Sequence, residues 1–161
     1  MSELRDLVAY NRWANFHLFA LVERASSEGL DATQPGMYGS VIETLNHLVN
    51  VERGFLRRIR DQSRDRLSGL GVAELREVME TLGPAYLGML DAESDLERPV
   101  FIPWLDEGVN LRLADAVVQP IVHSIQHRAD IIGALSREGI EPPEMDYVSW
   151  VLDGRPDRPL A

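Results

Sequence analysis

The chain has 161 residues, 45% of them hydrophobic, and no cysteine, which is enough for one buried core but leaves no disulfide and no thiolate ligand. Its 26 acidic and 16 basic side chains give a net charge of −10, which opposes binding to the phosphates of nucleic acids. No apolar run approaches the roughly 20 residues of a membrane-spanning helix, and the N-terminal residues do not fit a secretory signal, so we expect a cytoplasmic protein without nucleic-acid or membrane partners.

Apolar residues at spacings of three and four predict two long amphipathic helices in the first half of the chain. The first helix covers residues 2 to about 27 and is broken before Gly29. The second begins after Ser40 and runs to about Asp61, because Ser40 and Glu43 have the spacing of a capping box. Its apolar surface is too wide for one stripe, which predicts contacts with two neighbouring helices.

The second half predicts two further long helices, separated by a small extended excursion. The third helix covers residues 72–93, where Gly83-Pro84 should kink or interrupt it. Residues 98–112 are typical of a short hairpin around a turn. The fourth helix begins at Leu113 or Ala114 and ends at Gly139, and Pro120 should kink it or delay its start.

These elements predict an all-α protein, a four-helix bundle with a short C-terminal helix over residues 146–152. We expect a single domain over residues 1–153, followed by a C-terminal tail over residues 154–161.

Three of the four histidines are candidate metal ligands. His123 and His127 are four residues apart on the fourth helix and therefore share a face, so that both can reach one cation. A pair at this spacing also arises by chance, which leaves ordinary hydrogen-bonded histidines as the alternative. His47, on the second helix, lies off the main apolar stripe, and the residues alone favour an exposed histidine. His17 has no partner at ligand spacing.

The remaining motifs assign no catalytic residue and no cofactor-binding residue. Ser124 follows His123, so the HExxH pattern of zinc proteases is missing, and no phosphate-binding glycine loop is present. Arg128 is expected to form a structural salt bridge. Trp104 or Trp150 could lie at a dimer interface. The acidic and amide groups that could orient imidazoles are Glu43, Glu52, Gln126 and Asp130.

Four segments, in order along the chain, resemble the signature of a known family. They are residues 10–15 (YNRWAN), residues 40–48 (SVIETLNHL) followed by Glu52, residues 123–128 (HSIQHR) and residues 142–147 (PPEMDY). Together they are similar to the DinB/YfiT-like family of metal-binding four-helix bundles, and the likeness spans nearly the whole chain.

The resemblance implies that His47, His123 and His127 bind one divalent metal ion, zinc or nickel foremost, with iron or manganese as alternatives. His47 would then face a second neighbouring helix. Because ligating imidazoles must be neutral, we expect metal affinity to fall below about pH 6. The family often forms dimers, which implies a homodimer.

Characterised relatives include transferases that use thiols such as bacillithiol and mycothiol, a thiol-dependent isomerase, and iron-containing sulfoxide synthases. The resemblance therefore implies a metal-dependent enzyme acting on a small-molecule substrate, of the thiol S-transferase type, with a bacillithiol-, mycothiol- or glutathione-like cosubstrate. Two alternatives stay open. One is a bundle that binds a metal or small molecule without turnover, and the other is a metal-dependent hydrolase or iron oxygenase-like enzyme.

Overall fold

A computed structural model describes residues 2–157 and confirms the all-α class. Four long helices, the excursion and the short C-terminal helix are all present. The elements are α1 (Ser2–Val22), α2 (Ser27–Asp31), α3 (Val41–Ile59), α4 (Val72–Ala92), β1 (Pro99–Ile102), β2 (Val109–Arg112), α5 (Leu113–Arg137) and α6 (Tyr147–Leu152). Residues 158–161 of the predicted tail lie outside the described residues, and the domain boundary at residue 153 stays a prediction.

The four long helices form a bundle in which α1 and α3 occupy opposite corners. Each of them packs against both α4 and α5, and the buried apolar side chains of all four meet in one core. The wide apolar surface predicted for α3 is explained by this placement, since α3 has a neighbour on two sides. The packing of α3 against α5 brings the helix that carries His47 alongside the helix that carries His123 and His127.

The first helix is shorter than predicted, and a short helix follows it. α1 ends at Val22, and α2 begins after Ser26, whose hydroxyl accepts a hydrogen bond from the backbone of Gly29. Gly29 is buried inside α2, next to Ala25 and to Leu135 of α5. The predicted capping box at the start of α3 is confirmed.

The prolines do not interrupt their helices. α4 continues through Pro84, and α5 begins at Leu113 and continues through Pro120. Each proline costs the helix one backbone hydrogen bond, about 3 kcal/mol with its steric clash, and burial of the surrounding apolar face offsets that loss. α5 therefore presents one continuous surface to α3 and α1.

The excursion is a hairpin whose antiparallel register pairs Val100 with Leu111 and Phe101 with Asn110. Gly108 closes its turn at a φ of +95°, and a Cβ there would lie 2.6 Å from the Phe101 ring, so both conformation and space require glycine. Because β2 leads directly into α5, the hairpin fixes where that helix begins.

A second apolar cluster lies where α6 folds back on α1, and Trp150 is its centre. Trp150 is 1% exposed, packs against Tyr10 and Trp13, and donates a hydrogen bond to the carbonyl of Pro156. The prediction that Trp150 could lie at a dimer interface is therefore wrong, because this side chain is covered by its own chain. None of the helices within residues 2–157 is both long and apolar enough to cross a membrane.

Candidate metal centre

Three imidazole rings converge where α3 packs against α5. The Nε2 atom of His123 lies 3.0 Å from Nε2 of His47 and 3.2 Å from Nε2 of His127. His123 and His127 are one turn apart on α5, and His47 reaches them from α3, although its position on the helical wheel alone suggested solvent. The three side chains are half-buried or buried and form a group that could hold a metal ion.

The hydrogen-bond pattern around the rings leaves their Nε2 atoms facing one another. Nδ1 of His127 lies 3.2 Å from Oδ2 of Asp130, and this contact favours the tautomer with a proton on Nδ1 and a lone pair on Nε2. Nε2 of His123 takes part in both short contacts. In a neutral ring this nitrogen either donates one hydrogen bond or accepts one, so only one of the two contacts can be a full hydrogen bond. A cation at the shared point would accept all three lone pairs.

Two of the three rings are held in the neutral form that metal ligands need. Burial, together with the positive charges that His123, His127, Arg66 and Arg64 can carry, lowers the pKa of His47 to about 4. Burial and His127 lower the pKa of His123 to about 4. Both side chains are therefore unprotonated at neutral pH.

The spacing of the nitrogens suits a divalent transition metal. Imidazole nitrogens about 2.0–2.1 Å from a metal ion, with tetrahedral angles between them, lie about 3.3–3.4 Å from one another. The separations of 3.0 and 3.2 Å come close to this value. Three nitrogen donors suit zinc, nickel, copper or iron, and leave at least one coordination position for water or a substrate.

A buried polar network lies directly behind the rings. Oε1 of Glu52, which is 3% exposed, accepts hydrogen bonds from Nδ2 of Asn11 at 2.9 Å, Nδ2 of Asn15 at 2.9 Å and Oγ of Ser124 at 2.6 Å. Nη1 of Arg128 donates to the amide oxygens of Asn11 and Asn15, at 2.6 and 2.7 Å. The network joins α1, α3 and α5 through the middle of the bundle.

The expected salt bridge of Arg128 is not found among the described residues. The side-chain amides of Asn11 and Asn15 lie between the Arg128 guanidinium and the Glu52 carboxylate. Their oxygens accept hydrogen bonds from Arg128, and their NH2 groups donate to Glu52. Burial lowers the pKa of Arg128, and the charge of Glu52 opposes that effect. The amides therefore connect two opposite buried charges.

The residues of this network and of the histidine cluster are those of the sequence signature. A family model of the DinB family matches residues 1–154. The chain belongs to the DinB family. None of the curated proteins matches the sequence. Three segments of the DinB signature thus meet in space. Residues 10–15 supply Asn11 and Asn15, residues 40–52 supply His47 and Glu52, and residues 123–128 supply His123, Ser124, His127 and Arg128.

Of the four groups expected to orient imidazoles in this DinB protein, one contacts a ring directly. Asp130 lies against His127, whereas Glu52 accepts a hydrogen bond from Ser124, the residue that follows His123 in sequence. The Glu43 carboxylate accepts the backbone N–H of Ser40 in the capping box, and Gln126 is exposed. His17 packs edge-on against Trp13 and takes no part in the cluster.

Sequence reasoning missed one aromatic wall of the centre. The ring of Tyr38, which is half-exposed, stacks on His47 with centroids 3.8 Å apart and planes 15° apart. Tyr38 lies in the irregular segment between α2 and α3, where no periodicity reports which way a side chain points. Its ring covers one side of the cluster and restricts the directions from which a ligand can approach.

A cavity behind the network, between α1 and α4, is too small for a substrate. Its walls include Asn15, Glu52 and Met79, and the space open to the centre of a water molecule is about 20 Å³. That volume suits about one water molecule.

Proposed function

We propose that His47, His123 and His127 bind one divalent metal ion, and that the protein is a metal-dependent enzyme of the thiol S-transferase type. The observation that carries the proposal is the convergence of three Nε2 atoms from two helices. Membership of the DinB family supports it. Zinc or nickel is the expected ion, and a low-molecular-weight thiol is the expected cosubstrate.

The chain's own groups prepare the site for that chemistry. A bound divalent cation would supply Lewis acidity, which lowers the proton affinity of a coordinated thiol or water. His47 and His123 stay neutral because burial lowers the pKa of both, so protons compete little for their lone pairs at pH 7. Asp130 holds the proton of His127 on Nδ1, and the Tyr38 ring narrows the approach.

The proposal is tested first by metal content. Protein purified without added metal should contain close to one equivalent of one transition metal by elemental analysis. His123→Ala should reduce the affinity on the order of a hundredfold or more, because a protein ligand is lost. His17→Ala is the matched control, since it removes an imidazole outside the cluster and should leave the affinity unchanged. Equal affinities in the two variants would exclude this ligand set.

Turnover separates the enzyme from a bundle that only binds metal. The loaded protein should consume a thiol in the presence of an electrophile, and the rate should vanish in His123→Ala while its circular dichroism stays unchanged. Metal-loaded protein that is inert to every thiol offered, with an intact histidine cluster, would favour the binding bundle.

We further propose that the chain acts as a cytoplasmic homodimer. Two apolar side chains on the outer surface of α5 support the dimer, since Val122 is 55% exposed and Ile125 is 44% exposed. Sedimentation of the wild type and of Ile125→Glu tests this arrangement. A monomeric wild type would contradict it.

A further inference from the structure

Residues 63–71, here called the strap, run antiparallel to α3 along the side of the helix next to His47. Four α3 side chains, at intervals of three or four residues along the helix, form hydrogen bonds to the strap. The contacts are Arg57 Nε to Ser63 O at 2.8 Å, Arg53 Nη2 to Asp65 Oδ2 at 3.0 Å, Asn50 Nδ2 to Leu67 O at 3.0 Å and Asn46 Nδ2 to Leu70 O at 3.3 Å. The backbone of the strap is therefore held in place by the same helix that carries His47.

Two arginines of the strap lie at different distances from the histidine cluster, Arg66 next to it and Arg64 farther along α3. The guanidinium of Arg64 stacks over the Trp104 ring, 4.6 Å from its centroid, and the Arg64 side chain lies against Gly54, two turns beyond His47 on α3. Nη2 of Arg66 donates to the hydroxyl of Tyr38 at 3.4 Å, and the Tyr38 ring stacks on His47. Both positive charges contribute to the lowered pKa of His47.

Neither charge is neutralised by a neighbouring acid within the described part of the chain. Asp65, between the two arginines in sequence, is held instead by Arg53 and Arg57 of α3. Arg66 therefore adds a positive charge without an acidic partner next to Tyr38 and His47.

There is room for a small molecule at this point. Tyr38 and Arg66 line a surface depression with about 610 Å³ open to water-sized spheres, whose floor is formed by the strap and by Asn46 and Asn50. The one acidic residue in its wall, Glu43, has its carboxylate engaged by the backbone of Ser40.

We infer that Arg66 forms a carboxylate-binding subsite beside the three histidines, so that the thiol used by this protein is an anionic one. A carboxylate accepts charge-assisted hydrogen bonds from arginine, and the fixed strap would set its distance from the sulfur end of the same molecule. The inference deepens the proposed function and rests on it for the thiol.

The first test compares two thiols that differ only in charge. Cobalt-loaded protein is titrated with 3-mercaptopropionate and with 3-mercaptopropionamide, and binding is followed by the thiolate-to-cobalt absorption band. Wild type should bind the carboxylate about fivefold more tightly, as one partly exposed arginine contact allows. Arg66→Gln should lose that preference. Arg137→Gln, which removes an exposed arginine at the far end of α5, should keep it.

The second test needs neither a variant nor a metal. In metal-free wild-type protein, 3-mercaptopropionate should slow the modification of Arg66 by phenylglyoxal, measured by peptide mapping, and leave that of Arg64 and Arg137 unchanged. The amide should protect none of the three.

The two measurements separate failure of the inference from failure of the proposed function. Cobalt binding with no carboxylate preference in wild type, or with the same preference in Arg66→Gln, overturns the subsite and leaves the metal centre standing. If the protein binds no cobalt, the proposed function is refuted. The phenylglyoxal experiment then tests the carboxylate subsite by itself. Absence of protection overturns it.

Discussion

Replacing Glu52 by glutamine removes a buried negative charge and keeps the size of the side chain. The new amide oxygen could still accept hydrogen bonds from Asn11, Asn15 and Ser124, but the buried guanidinium of Arg128 would lose its compensating charge. Breaking a buried charge pair costs about 3–5 kcal/mol, and the amides between these charges reduce that figure, so we expect a loss of about 2–4 kcal/mol in the free energy of unfolding.

The assay is urea unfolding of metal-free protein, followed by tryptophan fluorescence and extrapolated to water. Arg128→Met should also destabilise the protein, because Glu52 then keeps its charge without a cation. The double variant Glu52→Gln/Arg128→Met should lose at least about 1 kcal/mol less than the sum of the single variants, since the two groups compensate each other. Glu80→Gln, which removes one partner of a half-exposed pair with Arg76, is the control and should cost less than about 1 kcal/mol.

A loss below about 1 kcal/mol for Glu52→Gln, within the range of an ordinary surface change, would refute this reasoning. Strict additivity in the double variant would refute it as well, because independent groups do not compensate each other.

Three further predictions concern the histidines and the start of α3. The lowered pKa of His47 and His123 means that the unfolded chain binds protons more readily than the folded one, so the stability of metal-free protein should fall as the pH drops from 6.5 to about 4, in urea titrations at several pH values. For these two ligands, the same shift moves proton competition for the metal below the expected pH 6, toward about pH 4. Asp130→Asn should weaken metal affinity by about tenfold, measured by chelator competition, because His127 loses the group that orients it. Ser40→Ala should cost about 0.5–1 kcal/mol in urea unfolding, since its hydroxyl caps α3 at a long 3.4 Å.

Each of these predictions has its own counter-result. A pH dependence that is unchanged in the variant His47→Gln/His123→Gln would assign it to other groups. Full metal affinity in Asp130→Asn would show that packing alone orients His127. A loss above about 2 kcal/mol for Ser40→Ala would mean that the hydroxyl does more than cap the helix.

Local rules were sufficient for the existence of the four long helices and for half of the candidate site, but they missed the short α2. Apolar spacing predicted the four long helices, and the pattern of Ser40 and Glu43 predicted the start of α3. The i, i+4 spacing of His123 and His127 predicted their shared face, because helix geometry alone determines it. Pro120 was misjudged, since its cost within the helix is local and the burial that offsets it depends on neighbouring helices.

The rest of the site depends on contacts between distant parts of the chain. The direction of His47 follows from the packing of α3 on α5, and its own helix pattern pointed it toward solvent. Hydropathy predicts that a glutamate such as Glu52 is exposed, and only its partners, 37 and 72 residues away, explain its burial. Tyr38 and the strap lie in segments without periodicity, so no sequence rule placed them beside the rings.

The metal centre and the buried network are coupled through the geometry of α5. Consecutive residues on a helix point about 100° apart, so His123 and His127 face the centre while Ser124 and Arg128 face the network. A rotation of α5 that damaged the network would also displace two of the three candidate ligands. Replacing Glu52 should therefore displace His123 and His127 indirectly, through a shift of α5.

This coupling can be separated from simple stabilisation. A metal that binds only the folded state adds about 4.1 kcal/mol to the free energy of unfolding at a thousandfold excess over its Kd. If the network only supports the fold, wild type and Glu52→Gln gain the same increment at equal metal concentration. If it also holds α5 in register, the variant gains less, because displaced histidines raise Kd. The contacts of Ser124 and Arg128, each next to a histidine in sequence, favour the smaller gain.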